Sequence, residues 1–200
     1  MSYLDELSAR LGVPYRFARL TDGCRGLLID GAVVLDESLT PERAHWAFCH
    51  EVAHLQLDHH VHLPRDDVEE REQEAAANQL ASELLIPEHQ FRPLLRLTLA
   101  ELKGHFPYAS HEVLARRRMR YRPGLLTLYD NGKLTCRMAP EGWNAPSQLF
   151  PLEAKAFRQC LDSKAEVLLE EGAMKVEATY VDEGRGVVRV ILFLEGETES

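Results

Sequence analysis

An α+β fold in two parts is what this 200-residue sequence predicts, and three features predict it. Up to residue 122, segments of helical periodicity dominate, with one β-hairpin signal among them. After Pro123-Gly124 the pattern changes to alternating strands, one helix and three more strands, with turn residues between them. The length accommodates one medium domain or two small ones, each able to bury a core. The expected division is a domain over 1–122, with a helical extension from about 88, and an α+β module over 123–200.

Residues 2–11 read as a short amphipathic helix, with Leu4, Leu7 and Leu11 at helical spacing. CRGLLID and AVVLDES follow, two short strand-like runs separated at Asp30-Gly31, a strong hairpin signal. Thr40 before Pro41 is an N-cap followed by proline at the first helical position, opening a helix to about Leu57 or Asp58. Pro64 places HHVHLPRDD in a loop, and Asp66 or Asp67 caps a helix over 68–86 that Pro87 stops. A third helical region is expected over 88–103, ending at Gly104, and a fourth from Ser110 through HEVLARRRMRY. In the module, Asp130-Asn131-Gly132 marks a second hairpin, a helix covers about 152–161, and AEVLLEE, KVEATYVD and VVRVILFLE are strands.

The composition, 45% hydrophobic and 28% charged, is that of a soluble globular protein. No apolar run approaches the roughly eighteen residues a membrane span needs. MSYLDELSARLG has no apolar signal core, so the expected location is the cytoplasm and no membrane partner is expected. Cys24, Cys49, Cys136 and Cys160 form no CxxC pair and read as reduced thiols. A net charge of −9 argues against nucleic-acid binding by the whole chain, with RRRMRYR at 116–122 as the local exception.

Six of the nine histidines lie between His45 and His62. Within that stretch His50-Glu51-Val52-Ala53-His54 is HExxH on a helix. A spacing of four puts His50 and His54 on one face, able to share an ion, while Glu51 can reach a water on it. Imidazoles with a carboxylate suit Zn2+ and leave a coordination position open. Such a site needs a third ligand. His60 would complete a metzincin-type HExxHxxGxxH, but Leu57 stands at the glycine position, where the necessary sharp turn disfavours a side chain. Glu74 is the better candidate, because it shares a helical stripe with Ala77, Ala81, Leu84 and Leu85 and so points inward. Glu70, one turn earlier, is its rival. The resulting HExxH-x19-E resembles the thermolysin-like gluzincins, and Asn78, one turn beyond Glu74, can orient a ligand histidine.

GLLIDGAVVLDES, PERAHWAFCHEVAHLQLDH and EQEAAANQLASELLIPE together resemble the ImmA/IrrE metallopeptidase family over about residues 20–90. Ala53 and Leu80 depart from that family's usual glycine and phenylalanine, and neither position is a ligand. The resemblance implies a zincin-like core and a zinc-dependent, site-specific endopeptidase. It also implies a protein substrate, a helix-turn-helix repressor of stress, mobile-element or DNA-damage genes. Glu51 is then the catalytic base, and His50, His54 and Glu74 the metal ligands. His111, Tyr108 and His62 are the candidates for a second oxyanion donor.

Two other functions compete. Residues 99–122 read as a degenerate helix-turn-helix, and Arg116, Arg117, Arg118, Arg120 and Arg122 could contact phosphates in a DNA-binding regulator. No base reader accompanies them, so a solvated face, or docking onto acidic groups of the same protein, is favoured. The other alternative is a non-catalytic docking protein that contains zinc, against which an intact Glu51 counts. The C-terminal module shows no ligand constellation. It is open to signal sensing, substrate binding or homodimer formation by strand addition.

Overall fold

The computed structural model describes residues 2–21, 23–59, 64, 66–140, 143, 145–184 and 186–196. Its architecture is α+β, in two compact units: 1–93 with 106–110, and 94–105 with 111–200. The boundary expected at 122/123 falls inside the second unit, because the arginine-bearing helix packs there.

The first unit begins with α1 (Tyr3–Leu11), held by a reciprocal capping box between Ser2 and Asp5 and buried through Leu4 and Leu7. A three-stranded sheet follows, of β1 (Tyr15–Ala18), β2 (Gly26–Ile29) and β3 (Ala32–Asp36) in the order β1-β3-β2. The Asp30-Gly31 hairpin forms with both residues at positive φ, 50° and 76°, pairing β2 antiparallel to β3. Strand β1, parallel to β3, was not foreseen, since YRFA is too short to carry a period. Helix α2 (Pro41–Gln56) lies against β2 and β3, and its Phe48, Cys49 and Val52 are fully buried. Thr40 takes the N-cap conformation without a side-chain cap bond. Helix α3 (Asp67–Leu85) packs on α2, and Asp66 caps it by accepting from Val68 N and Glu69 N.

The expected helix over 88–103 is broken. Helix α4 (Glu88–Phe91) gives way to a 3-10 turn at Arg92–Leu94, where Pro93 has no N–H to continue the ladder. Helix α5 (Leu99–His105) starts afresh behind Thr98, which exchanges hydrogen bonds with Glu101, and it runs one residue past Gly104.

In the second unit α5 packs against α6 (His111–Met119). Strands β4 (Leu125–Asp130), β5 (Lys133–Met138), β6 (Val167–Glu171), β7 (Met174–Gly184) and β8 (Val187–Glu195) form an antiparallel sheet in the order β5-β4-β8-β7-β6. Helix α7 (Pro151–Ser163) covers one face through Leu152, Ala156 and Cys160. Part of the arginine run turns inward, with Arg117 and Arg118 buried. Arg118 is fully buried, ion-paired to Glu177 at 2.8 Å and placed over the Phe193 ring. Arg122 pairs with Glu195, and Arg116 with Glu112 at 2.9 Å. These side chains meet acidic groups of their own unit, and burial of Arg117 and Arg118 removes two of the five proposed phosphate contacts. All four cysteines are free. Among the described residues no helix is long and apolar enough to cross a membrane.

Candidate metal centre

The centre is built on one face of α2. One helical turn separates His50 from His54, and their Nε2 atoms lie 3.1 Å apart. Helix α3 brings Glu74 opposite them, with carboxylate oxygens 3.6 Å from His50 Nε2 and 3.2 Å from His54 Nε2. One donor atom from each of the three lies within 4.8 Å of the others. Glu70 is exposed and outside this group.

Glu74 reaches the centre in a way its stripe did not suggest. Its side chain is 50% exposed, whereas Ala77, Ala81 and Leu85 further along α3 are fully buried. The stripe begins at a solvent-open cleft, so Glu74 is not a carboxylate stranded in the core. Convergence with the histidines, rather than burial, is what marks it.

Three potential donor atoms converge on one point, the arrangement a cation can use. Burial holds both imidazoles below the usual histidine range, and for His54 the neighbouring His50 adds to it, while Glu74 acts in the opposite sense. Neutral imidazoles with a carboxylate are a zinc donor set. Tetrahedral zinc with bonds of 2.0–2.1 Å sets its ligand atoms about 3.3 Å apart, and the two imidazole nitrogens at 3.1 Å, with one Glu74 oxygen near each at 3.2 and 3.6 Å, lie close to that value. The residues fit the ion.

Glu51 lies beside the centre, lining the same cleft. Burial first, then the charge of Glu74, pushes its carboxyl up to about 7, a value suited to accepting and returning a proton near neutral pH. The cleft has a volume of about 370 Å³ and is lined by Gly23, Arg25, Gly26, Trp46, Ala47, His50, Glu51, Glu74 and Asn78. The Asn78 side chain acts on His50, favouring its protonated form.

Arg25, Gly26 and Trp46 went unnoticed in the sequence. The signals were a glycine at a strand end, which often marks close approach of another element, and the spacing of four between Trp46 and His50. Here a β-carbon on Gly26 would stand 3.0 Å from Glu51 Cγ. Of the candidate oxyanion donors, Tyr108 is committed elsewhere: its ring stacks on Tyr3 at 3.7 Å and its carbonyl meets His45 Nδ1 at 3.0 Å. His111 belongs to the second unit. His60 and His62 lie outside the described residues. Leu57 keeps a negative φ of −92°, and the turn out of α2 is made one residue later, at Asp58 with φ 56°.

No curated protein matches this chain. A solved structure, a transcriptional regulator of Mycobacterium tuberculosis, shares the fold with a TM-score of 0.68 at 14% identity, over 96% of this chain and 68% of that one. Residues 9–103, which contain the whole centre, match the Peptidase_M78 family, described as the IrrE N-terminal-like domain. Over that stretch, just under half of its length, the chain is similar to the Peptidase_M78 family.

Proposed function

We propose that this protein is a zinc-dependent endopeptidase whose substrate is another protein, a transcriptional repressor in a stress, mobile-element or DNA-damage response, and that it acts in the cytoplasm. The observation that carries the reading is the convergence of His50, His54 and Glu74 with Glu51 beside them in an open cleft. Zinc held by the three ligands would lower the pKa of a bound water and polarise the scissile carbonyl. Glu51 takes the proton from the attacking water and returns it to the leaving amine. Gly26 keeps the strand backbone close to Glu51, and the packing of α2 on β2 fixes the base relative to the ligands. A docking module that merely contains zinc has no use for a carboxyl group in the cleft beside the ligands. The choice of a repressor as substrate rests on the family.

Incubation of the protein with lysate of its source cells, followed by mapping of new protein termini, tests the reading. New fragments should appear without chelator and vanish with it. Glu51→Gln should retain zinc and lose about 10²–10⁴-fold in cleavage rate. Fragments that persist undiminished with Glu51→Gln would exclude Glu51 as the base.

A further inference from the structure

We propose that His59 is a positioning residue for His54, accepting the Nδ1 proton of that ring and so holding its Nε2 lone pair toward His50 and Glu74. This rests on the metal reading above and extends it to a residue outside both HExxH and the glutamate helix.

The two Nδ1 atoms are 3.0 Å apart, with ring centroids 5.0 Å apart and planes at 66°. A neutral imidazole carries one N–H and one lone pair, so where two such rings meet Nδ1 to Nδ1, one donates and the other accepts. If His59 donated, the His54 proton would sit on Nε2, in the middle of the donor set. If His54 donates, its Nε2 is bare, which is the form a metal ligand needs. With a cation at the centre the second arrangement is the one that forms, and His59 carries its own proton on Nε2.

The backbone places His59 for this role. Asp58 adopts positive φ, and His59 N–H reaches back to donate to the His54 carbonyl at 3.1 Å, while Leu57 N–H donates to Ala53 O at 3.0 Å. This helix-terminating motif folds residue 59 under the last turn of α2. A side chain at 59 therefore starts beside that of 54 whatever its identity. His50 differs: its Nδ1 is buried without a hydrogen-bond partner among the described residues. Orientation of the ligand pair through an imidazole acceptor thus falls on His54.

Three variants and one control test this, with zinc affinity measured by competition against a chromophoric chelator. His59→Phe keeps a ring without an acceptor, and His59→Ala removes both. Each should weaken zinc binding about 10- to 100-fold, the usual effect of losing such a support. His59→Asn, whose side-chain oxygen stands near the position of Nδ1, should stay within about threefold of wild type on the same scale. In zinc-loaded wild type, ¹⁵N NMR should find the His54 proton on Nδ1. Wild-type affinity in His59→Phe, equal loss in Asn and Phe, or an unprotonated His54 Nδ1 would each overturn the proposal. In the control, His54→Ala with unchanged zinc affinity would instead overturn the underlying metal reading. Loss in His54→Ala without loss in His59→Phe isolates the failure to His59.

Discussion

Gly26 and Glu51 approach so closely that a β-carbon on the glycine would lie 3.0 Å from Glu51 Cγ and 3.3 Å from Oε1. The contact joins a strand end to the proposed base, and it makes residue 26 a sensor of where that base must stand.

Gly26→Ala is expected to fold, since alanine needs no unusual backbone there and the Glu51 side chain can yield by a few tenths of an ångström. Displacing the base is the cost. Thermal stability should stay close to wild type while hydrolysis falls roughly tenfold or more, as misplacement within a site commonly does. A melting curve and a rate on the same preparation check this. Unchanged hydrolysis would show that Glu51 does not need that position.

In the metal-free protein the contribution of Glu51 to stability should fall as pH rises through the neutral range, opposite in sign to the contributions of His50 and His54. Glu51 moves from an ordinary value of 4.5 up to about 7 in the fold. Its protonated form is therefore favoured by folding, and that contribution is fully present below about pH 4.5 and is lost as pH rises through 7. Between pH 5 and 8 the urea midpoint of chelator-treated wild type should drop relative to that of Glu51→Gln as pH rises. Parallel curves would contradict the assignment.

In the second unit, Glu177→Ala leaves Arg118 buried without its ion-pair partner and removes the acceptor of Leu99 N–H. A loss of about 3–5 kcal/mol is expected from chemical denaturation, the usual result of breaking a buried pair from one side. A loss below about 1 kcal/mol, the scale of exposed pairs, would mean that Arg118 reaches solvent. The arginine run would then again be available for phosphates.

That inward turn of the arginines shows where the sequence was and was not legible. Local chemistry could be read: the Asp30-Gly31 and Asp130-Asn131-Gly132 turns, the Pro41 helix start and the Asp66 cap depend on neighbours along the chain. So could His50 and His54, because helical periodicity alone puts them on one face. Contacts across the chain were harder. Glu74 was picked out on the ground that its carboxylate is buried, yet it is half exposed and stands out because α3 crosses α2 there. Arg25 and Gly26 reach the cleft only through the packing of α2 on the sheet, whereas Trp46 sits one turn before His50 on the same helix. The fate of Arg118 was set by Glu177, fifty-nine residues away. His59 looked like one more loop histidine until positive φ at Asp58 folded it back onto His54.

On the proposed reading Glu74, from α3, completes the metal site of His50 and His54. Zinc affinity at neutral pH, measured by competition for wild type, Glu74→Ala and His60→Ala under one set of conditions, tests it most directly. Glu74→Ala should lose zinc by orders of magnitude while His60→Ala stays near wild type. The reverse order, with His60→Ala losing the metal and Glu74→Ala keeping it, would contradict the account and make the centre a three-histidine site.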